Sequence, residues 1–347
     1  MYFKDGAFSE TCPADTGLSQ WTITTDFTSG SSAFDKWNTT GGAVESTSLG
    51  AKFTISEQGD APTIESDFYI FFGRVEVKMK AANGTGIIST AVMESDDLDE
   101  IDWEQISTYD ASIQTDYFGK GNTTLYNRAT TVNVTSPEEQ FHIYAVDWTS
   151  TRIEWLLDGE VVRTLEYADA LNGNNYPQTP MRVKIGIWAG GDPSNAEGTI
   201  TWAGGETDYT TGPFTMYVES VKVINYNPAS TYTYSDKTGA YTSIQASNGT
   251  TSANKTLGST AVKAVSASNS SSSESTSISS ARTVASTSSL LSTVPSTRVT
   301  SSTSTSVAAP VSSSSSSVPS ISAAYLVSPH SYGVAVLLTA VTALLRF

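Results

Sequence analysis

The stretch LDEIDWEQIS, residues 98–107, sets Glu100, Asp102 and Glu104 at alternate positions, with Ile101 and Trp103 between them. In a β-strand successive side chains point to opposite faces, so the three carboxyls share one face and the apolar pair the other. Like charges at that spacing repel and raise one another's pKa values. Such a face is either simply solvated or a site. Ile101 and Trp103 would anchor the strand in a core, and Asp96, Asp97 and Asp99 add negative charge just before it, which favours a site. Two carboxyls flanking a scissile bond are the equipment of glycosidases: one protonates the leaving oxygen, the other attacks the anomeric carbon or activates water. Cα atoms four residues apart on a strand lie about 13 Å apart, whereas a retaining pair needs its carboxyls roughly 5 to 5.5 Å apart. Glu100 and Glu104 must then lean together on a concave strand, with Asp102 between them hydrogen-bonding the nucleophile and modulating its pKa.

Aromatic residues point to a sugar partner. Tyr117, Trp188, Trp202 and Tyr209 sit in the polar, Gly-rich contexts QTDYFGKG, IWAGGDP and TWAGGETDY rather than in apolar runs. Flat rings can stack on pyranose faces while a polar edge stays wet. Ordinary core packing is the alternative for any one of them.

The elements that must hold these groups read as antiparallel β-structure. In FFGRVEVKMKAA, Val75, Val77 and Met79 alternate with Arg74, Glu76, Lys78 and Lys80, the period of a half-buried strand. RIEWLLDGEVVRTLEY carries Asp158-Gly159 between two β-rich runs, a hairpin signal because both turn positions need positive φ. MRVKIGIW and FTMYVESVKVINY alternate similarly, and only Tyr167 to Asn172 looks briefly helical. Many short strands separated by Gly, Asn and Pro turns predict an all-β, two-sheet sandwich.

Composition divides the 347 residues unevenly. Nearly all Trp, Tyr and Phe precede residue 232, so residues 1–228 are expected to form the catalytic domain. Residues 229–331 are dominated by Ser and Thr over most of their length, and a disordered, glycosylated stalk is expected there. Residues 332–347 hold the apolar run Gly333 to Leu345, too short to span a bilayer comfortably but suited to the removable tail of a GPI-attachment signal, with Ser322 in the small-residue site Ser322-Ala323-Ala324. Sequons occur at Asn38, Asn83, Asn122, Asn133, Asn248, Asn254 and Asn269. A net charge of −16 without any basic cluster argues against nucleic acid. Cys12 is the only cysteine, which excludes an internal disulfide framework and a Cys-based metal site; no cofactor or metal is implied. Residues 1–10 lack a signal-peptide apolar run, yet GPI attachment follows secretory entry. An upstream segment with a signal peptide and a partner for Cys12 is therefore expected, and a cell-surface, GPI-anchored location.

At this point the sequence resembles glycoside hydrolase family 16, and within it the fungal Crh branch of cell-wall transglycosylases that join chitin to β-glucan. The resemblance is carried by DEIDWE (99–104), QTDYFGKG (114–121), FHIYAVDW (141–148), LLDGEVVRTL (156–165), YPQTPM (176–181), GIWAGGDP (186–193) and TWAGGETDY (201–209). It implies a jelly-roll sandwich with a concave cleft, a monomer, and wall polysaccharides as partners. It also implies Glu100 as nucleophile, Asp102 as assisting acid and Glu104 as general acid/base. Gln114, Tyr117, Arg128, Trp188, Trp202 and Tyr209 fall in segments that line the family's cleft. Gln105 stands where the family usually has an aromatic residue, and Asp116 where Asn is common. A hydrolytic endo-β-glucanase and a non-catalytic wall-binding mannoprotein are the competing readings; the second expects one or both glutamates to be lost, and all three acids are present.

Overall fold

Alternation of apolar and polar side chains dictates the architecture. In the strand Gly73–Lys80, Val75, Val77 and Met79 are buried while Arg74, Glu76, Lys78 and Lys80 remain half-buried, so one face enters a core and the other meets solvent. The computed structural model describes residues 13–124 and 126–247, together with the backbone of the short strands 3–4 and 7–8. Cys12, Ser322 and the apolar tail lie outside the described residues.

In chain order the strands are β1 (Asp15–Thr16), β2 (Thr22–Asp26), β3 (Trp37–Gly41), β4 (Val44–Thr47), β5 (Gly50–Ile55), β6 (Thr63–Ser66), β7 (Gly73–Lys80), β8 (Ile87–Ser95) and β9 (Glu100–Ile106). They continue as β10 (Ser112–Phe118), β11 (Thr130–Asn133), β12 (His142–Trp148), β13 (Arg152–Leu157), β14 (Glu160–Glu166) and β15 (Met181–Ala189). The one-and-a-half-turn helix α1 (Glu197–Trp202) precedes β16 (Phe214–Asn225), β17 (Thr231–Tyr234) and β18 (Ile244–Ser247).

Two antiparallel sheets result. One runs β11-β10-β9-β8-β15-β6-β3. The other runs β14-β13-β12-β7-β16-β5-β4, with β2 also paired to β16. The crossovers in these orders give the jelly-roll sandwich that the sequence predicted. The core between the sheets takes Met93, Ile101, Trp103, Val183 and Ile185 from one side and Val75, Val77, Tyr144 and Val146 from the other.

The predicted hairpin forms between β13 and β14, with Asp158 and Gly159 at φ of 51° and 91°. The helical expectation for residues 167–172 is not met: the segment is a run of turns in which Leu171 and Asn172 take φ of 52° and 50°, which no right-handed helix contains. Ordered structure also continues past residue 228. Strand β17 pairs with β1 on one side and β18 on the other in a small third sheet, and Tyr232 is fully buried there, so the fall in aromatic content begins before the fold ends.

Candidate active site

Strand β9 is held from behind at two points. Trp103 Nε1 donates across the sandwich to the Ala145 carbonyl of β12 (3.1 Å), and Trp155 Nε1 of β13 donates back to the Asp102 carbonyl (3.0 Å). The Trp103 ring meets Tyr144 edge-on with centroids 5.5 Å apart. These contacts fix the apolar face of β9 in the core, and the two-residue repeat then forces Glu100, Asp102 and Glu104 onto the opposite face.

Register gives their neighbours. Glu100 lies opposite Glu94 of β8 and Phe118 of β10; Asp102 opposite Val92 and Asp116; Glu104 opposite Thr90 and Gln114. Across β8 the next strand, β15, supplies Arg182, Lys184, Gly186 and Trp188 on the same face. The floor beside Glu104 is therefore small, Thr90 and then Gly186, while the floor beside Glu100 is charged. There Lys184 Nζ donates to Glu94 Oε2 at 2.5 Å and lies 4.0 Å from Glu65, which also pairs with Arg182.

Burial has a large electrostatic consequence. Asp102 is 1% exposed and Glu100 7%, while Glu104 keeps some contact with solvent. Desolvation, with Glu94 next in size, pushes Glu100 up to about 8, opposed by a hydrogen bond from Asp102 and by the Lys184 charge. Desolvation and the charges of Glu100, Glu104 and Asp116 push Asp102 well above the usual carboxylate range. Asp102 consequently keeps its proton and donates it to Glu100. Neither Asp102 oxygen has a backbone or side-chain N–H or hydroxyl donor, which leaves that shared proton as its hydrogen bond. Glu104 is pushed up to about 8 by desolvation and then by Asp116, with nothing stabilising its charge. The row can thus hold one negative charge at Glu100 with protons on both sides of it.

The remaining residues expected at the cleft divide. Gln114, Trp188 and Trp202 come together near Glu104: Trp202 Nε1 donates to Gln114 Oε1 (3.1 Å), and the two indoles stack with centroids 6.0 Å apart and planes 21° from parallel. An adjoining groove of about 450 Å³ is lined by Ile106, Tyr109, Ser112, Gln114, Thr131 and Trp202 among others. Arg128 stacks on Phe118, which faces the carboxylates, at 4.6 Å, and donates to the carbonyls of Tyr117 and Asn122. Tyr209 donates to Asp192 Oδ2 (2.5 Å), tethering its own segment to the loop after Trp188.

Tyr117 is a correction. Since Asp116 and Phe118 face the carboxylates, Tyr117 must face the other way; it lies opposite Ile101, joins the core, and has the Arg163 guanidinium of β14 5.5 Å from its ring centroid. Gln105, by the same alternation, is buried on the core side, where Ser107 Oγ donates to it (3.2 Å), so its departure from the family pattern does not alter the exposed floor. Asp116 does face the row and adds to its negative charge.

Asp99 proves structural. Fully buried, it accepts hydrogen bonds from the backbone N–H groups of Lys120, Gln178 and Thr179 and from Thr179 Oγ1, tying three segments together at the entry to β9. Sequence reasoning missed the Lys184–Glu94 pair. Its only signal was a lysine between apolar residues in MRVKIGIW, a strand that is buried on both faces from Ile185 onward. Among the described residues no cluster of His, Cys, Asp and Glu has the arrangement of a metal site.

A jelly roll with a Glu-x-Asp-x-Glu row on one face of an inner strand is the arrangement that the resemblance to glycoside hydrolase family 16 led us to expect. The sequence model of that family, glycosyl hydrolases family 16, matches residues 31–204, and the chain belongs to it. Its similarities narrow this to the Crh type. The chain is 64% identical over 240 residues to Crh-like protein 1 of Aspergillus fumigatus, covering 69% of this chain and 67% of that protein. It is 56% identical over 242 residues to Crh-like protein 5 of the same fungus, covering 70% and 61%. The match to Crh-like protein 2 of Botryotinia fuckeliana spans only 55% of that protein. A solved Crh5 transglycosylase in complex with NAG superposes with a TM-score of 0.67 at 56% identity, over 68% of this chain and 97% of that one.

Proposed function

We propose that the chain is a retaining cell-wall transglycosylase in which Glu100 is the nucleophile, Asp102 its proton-sharing partner and Glu104 the general acid/base. The observation that carries this reading is the difference between the two environments: a hydrogen bond from Asp102 and the Lys184 charge oppose the upward push on Glu100, whereas burial and Asp116 both disfavour charge on Glu104 and nothing offsets them. Burial pushes both glutamates up to about 8, so Glu104 holds its proton as an acid at neutral pH, while Glu100 is the member of the pair whose carboxylate form the Asp102 hydrogen bond and the Lys184 charge favour.

In the first step a Glu100 oxygen bonds to the anomeric carbon, the glycosidic C–O bond breaks, and the departing oxygen takes the Glu104 proton. In the second, an acceptor sugar hydroxyl gives its proton to Glu104, its oxygen bonds to the anomeric carbon, and the ester to Glu100 breaks. Transfer outcompetes hydrolysis when a bound hydroxyl is held more effectively than concentrated water, an effective-molarity advantage. Half-buried Trp202, backed by the buried Trp188 and hydrogen-bonded to Gln114, supplies a flat apolar surface near Glu104 for such an acceptor.

The donor we infer is chitin or a related β-glycan, and the acceptor β-glucan or chitin. The structural relative that holds NAG, the amino sugar of chitin, supports an amino-sugar donor. Action on wall polysaccharide suits a monomer at the cell surface, tethered through the Ser/Thr-rich segment and a GPI anchor at Ser322. Incubation with chitin oligomers and a labelled β-glucan acceptor tests the function by mass spectrometry. Label joined to amino-sugar units is the expected product; shortened oligomers alone would make the enzyme a hydrolase.

A further inference from the structure

We propose that Asn133 is N-glycosylated, and that its glycan covers the open edge of the active-site sheet. Strand β11 is a terminal strand of that sheet, paired with β10 alone among the described strands. A terminal strand offers unpaired backbone groups to other chains, and proteins ordinarily protect it with Lys, Pro or a bulge. Between Arg128, which is committed to Phe118 and to the carbonyls of Tyr117 and Asn122, and Pro137, the segment 129–136 carries neither charge nor proline and is rich in β-branched residues; the β10–β11 register runs without interruption, and the strand itself is protected only by its short length of 4 residues. The opposite edge, β3, also carries a sequon, at Asn38, but there Lys36 precedes the strand and a register shift between Thr39 and Gly41 breaks the edge. Asn133 is thus the sequon on the edge strand that has no charge, proline or bulge of its own.

The local structure fits a sugar. Asn133 and Thr135 of the Asn-Val-Thr sequon are exposed, while Val134 between them is buried. Beside Asn133 lies a groove of about 480 Å³, lined by Asp110, Ser136, Glu138 and Glu139 among others. Glu138 Oε1 is buried and without a hydrogen-bond partner, an acceptor suited to the amide N–H or a hydroxyl of the first amino sugar. Glycosylation bonds Asn133 Nδ2 to the anomeric carbon of an oligosaccharide carried on a lipid diphosphate. The C–O bond to the diphosphate breaks, its electron pair leaves with the lipid diphosphate, and an amide proton is lost to base, with no change of oxidation state.

The test uses the full chain secreted from a eukaryotic host that N-glycosylates, followed by amidase release of glycans in ¹⁸O-water and peptide mass spectrometry. The expected result is conversion of most Asn133 to ¹⁸O-labelled Asp; folded, secreted protein with unmodified Asn133 overturns the site. The covering role is read separately by sedimentation of Asn133→Gln and Asn133→Lys, both of which lack the glycan. Asn133→Gln should lose about half its monomer at concentrations where the glycosylated protein is monomeric, whereas Asn133→Lys, which restores a charge to the edge, should remain monomeric. A monomeric Asn133→Gln protein, or two variants that associate equally, would overturn the covering role.

Discussion

Replacing Glu104 by Gln should do two opposite things, and their combination is diagnostic. The side chain keeps its size but can neither hold nor release the proton. With natural polysaccharide, turnover should fall by about 10² to 10⁴, the usual contribution of general acid–base catalysis. Stability should move the other way. Burial and Asp116 raise the Glu104 pKa from 4.5 to about 8, so between those values the folded protein holds a proton that the unfolded chain has released. A carboxyl of raised pKa contributes most below its unfolded pKa, and that contribution is lost as pH rises toward 8, at about 1.4 kcal/mol per pH unit. Over 4.5 to about 8 the ceiling is about 5 kcal/mol. Glu104 keeps contact with water and titrates together with its neighbours, which lowers the expected gain for Glu104→Gln at pH 8 to about 1 to 3 kcal/mol. Urea unfolding of both proteins at pH 4.5 and pH 8 measures it. Curves that differ equally at the two pH values would mean the fold does not hold that proton, and near-normal turnover would remove Glu104 from the acid/base role.

Glu100→Gln should abolish turnover while leaving the unfolding midpoint at neutral pH within about 1 kcal/mol of wild type or above it; normal rates would exclude it as nucleophile. Trp202→Ala loses the indole stack with Trp188 and the bond to Gln114, and should weaken acceptor affinity by about 10-fold while shifting products toward hydrolysis. An unchanged transfer-to-hydrolysis ratio in product analysis would remove that platform from the acceptor site. Asp99→Ala should destabilise by about 3 to 5 kcal/mol, since four donors, three of them buried, lose their acceptor. A calorimetric Tm close to wild type would contradict that structural role.

Alternation within single strands was enough to place Glu100, Asp102 and Glu104 on one face, to put Val75, Val77 and Met79 in the core, and to locate the Asp158-Gly159 turn. These features depend on backbone geometry repeated every two residues, which a linear sequence displays directly. Applied to QTDYF, the same alternation already separates Gln114 from Tyr117. What the sequence could not decide are the relations between strands distant in the chain. Asp99 and Glu100 are adjacent acids, yet one ties down three loops and the other faces Glu94, 90 residues before the Lys184 that neutralises it. Which carboxyl of the row keeps its proton depends on desolvation and charges contributed by β8, β10 and β15 together. That sum exists only when the sheet has assembled and expelled its water, so the order of the acids is written in the chain, but their charges are set by the fold.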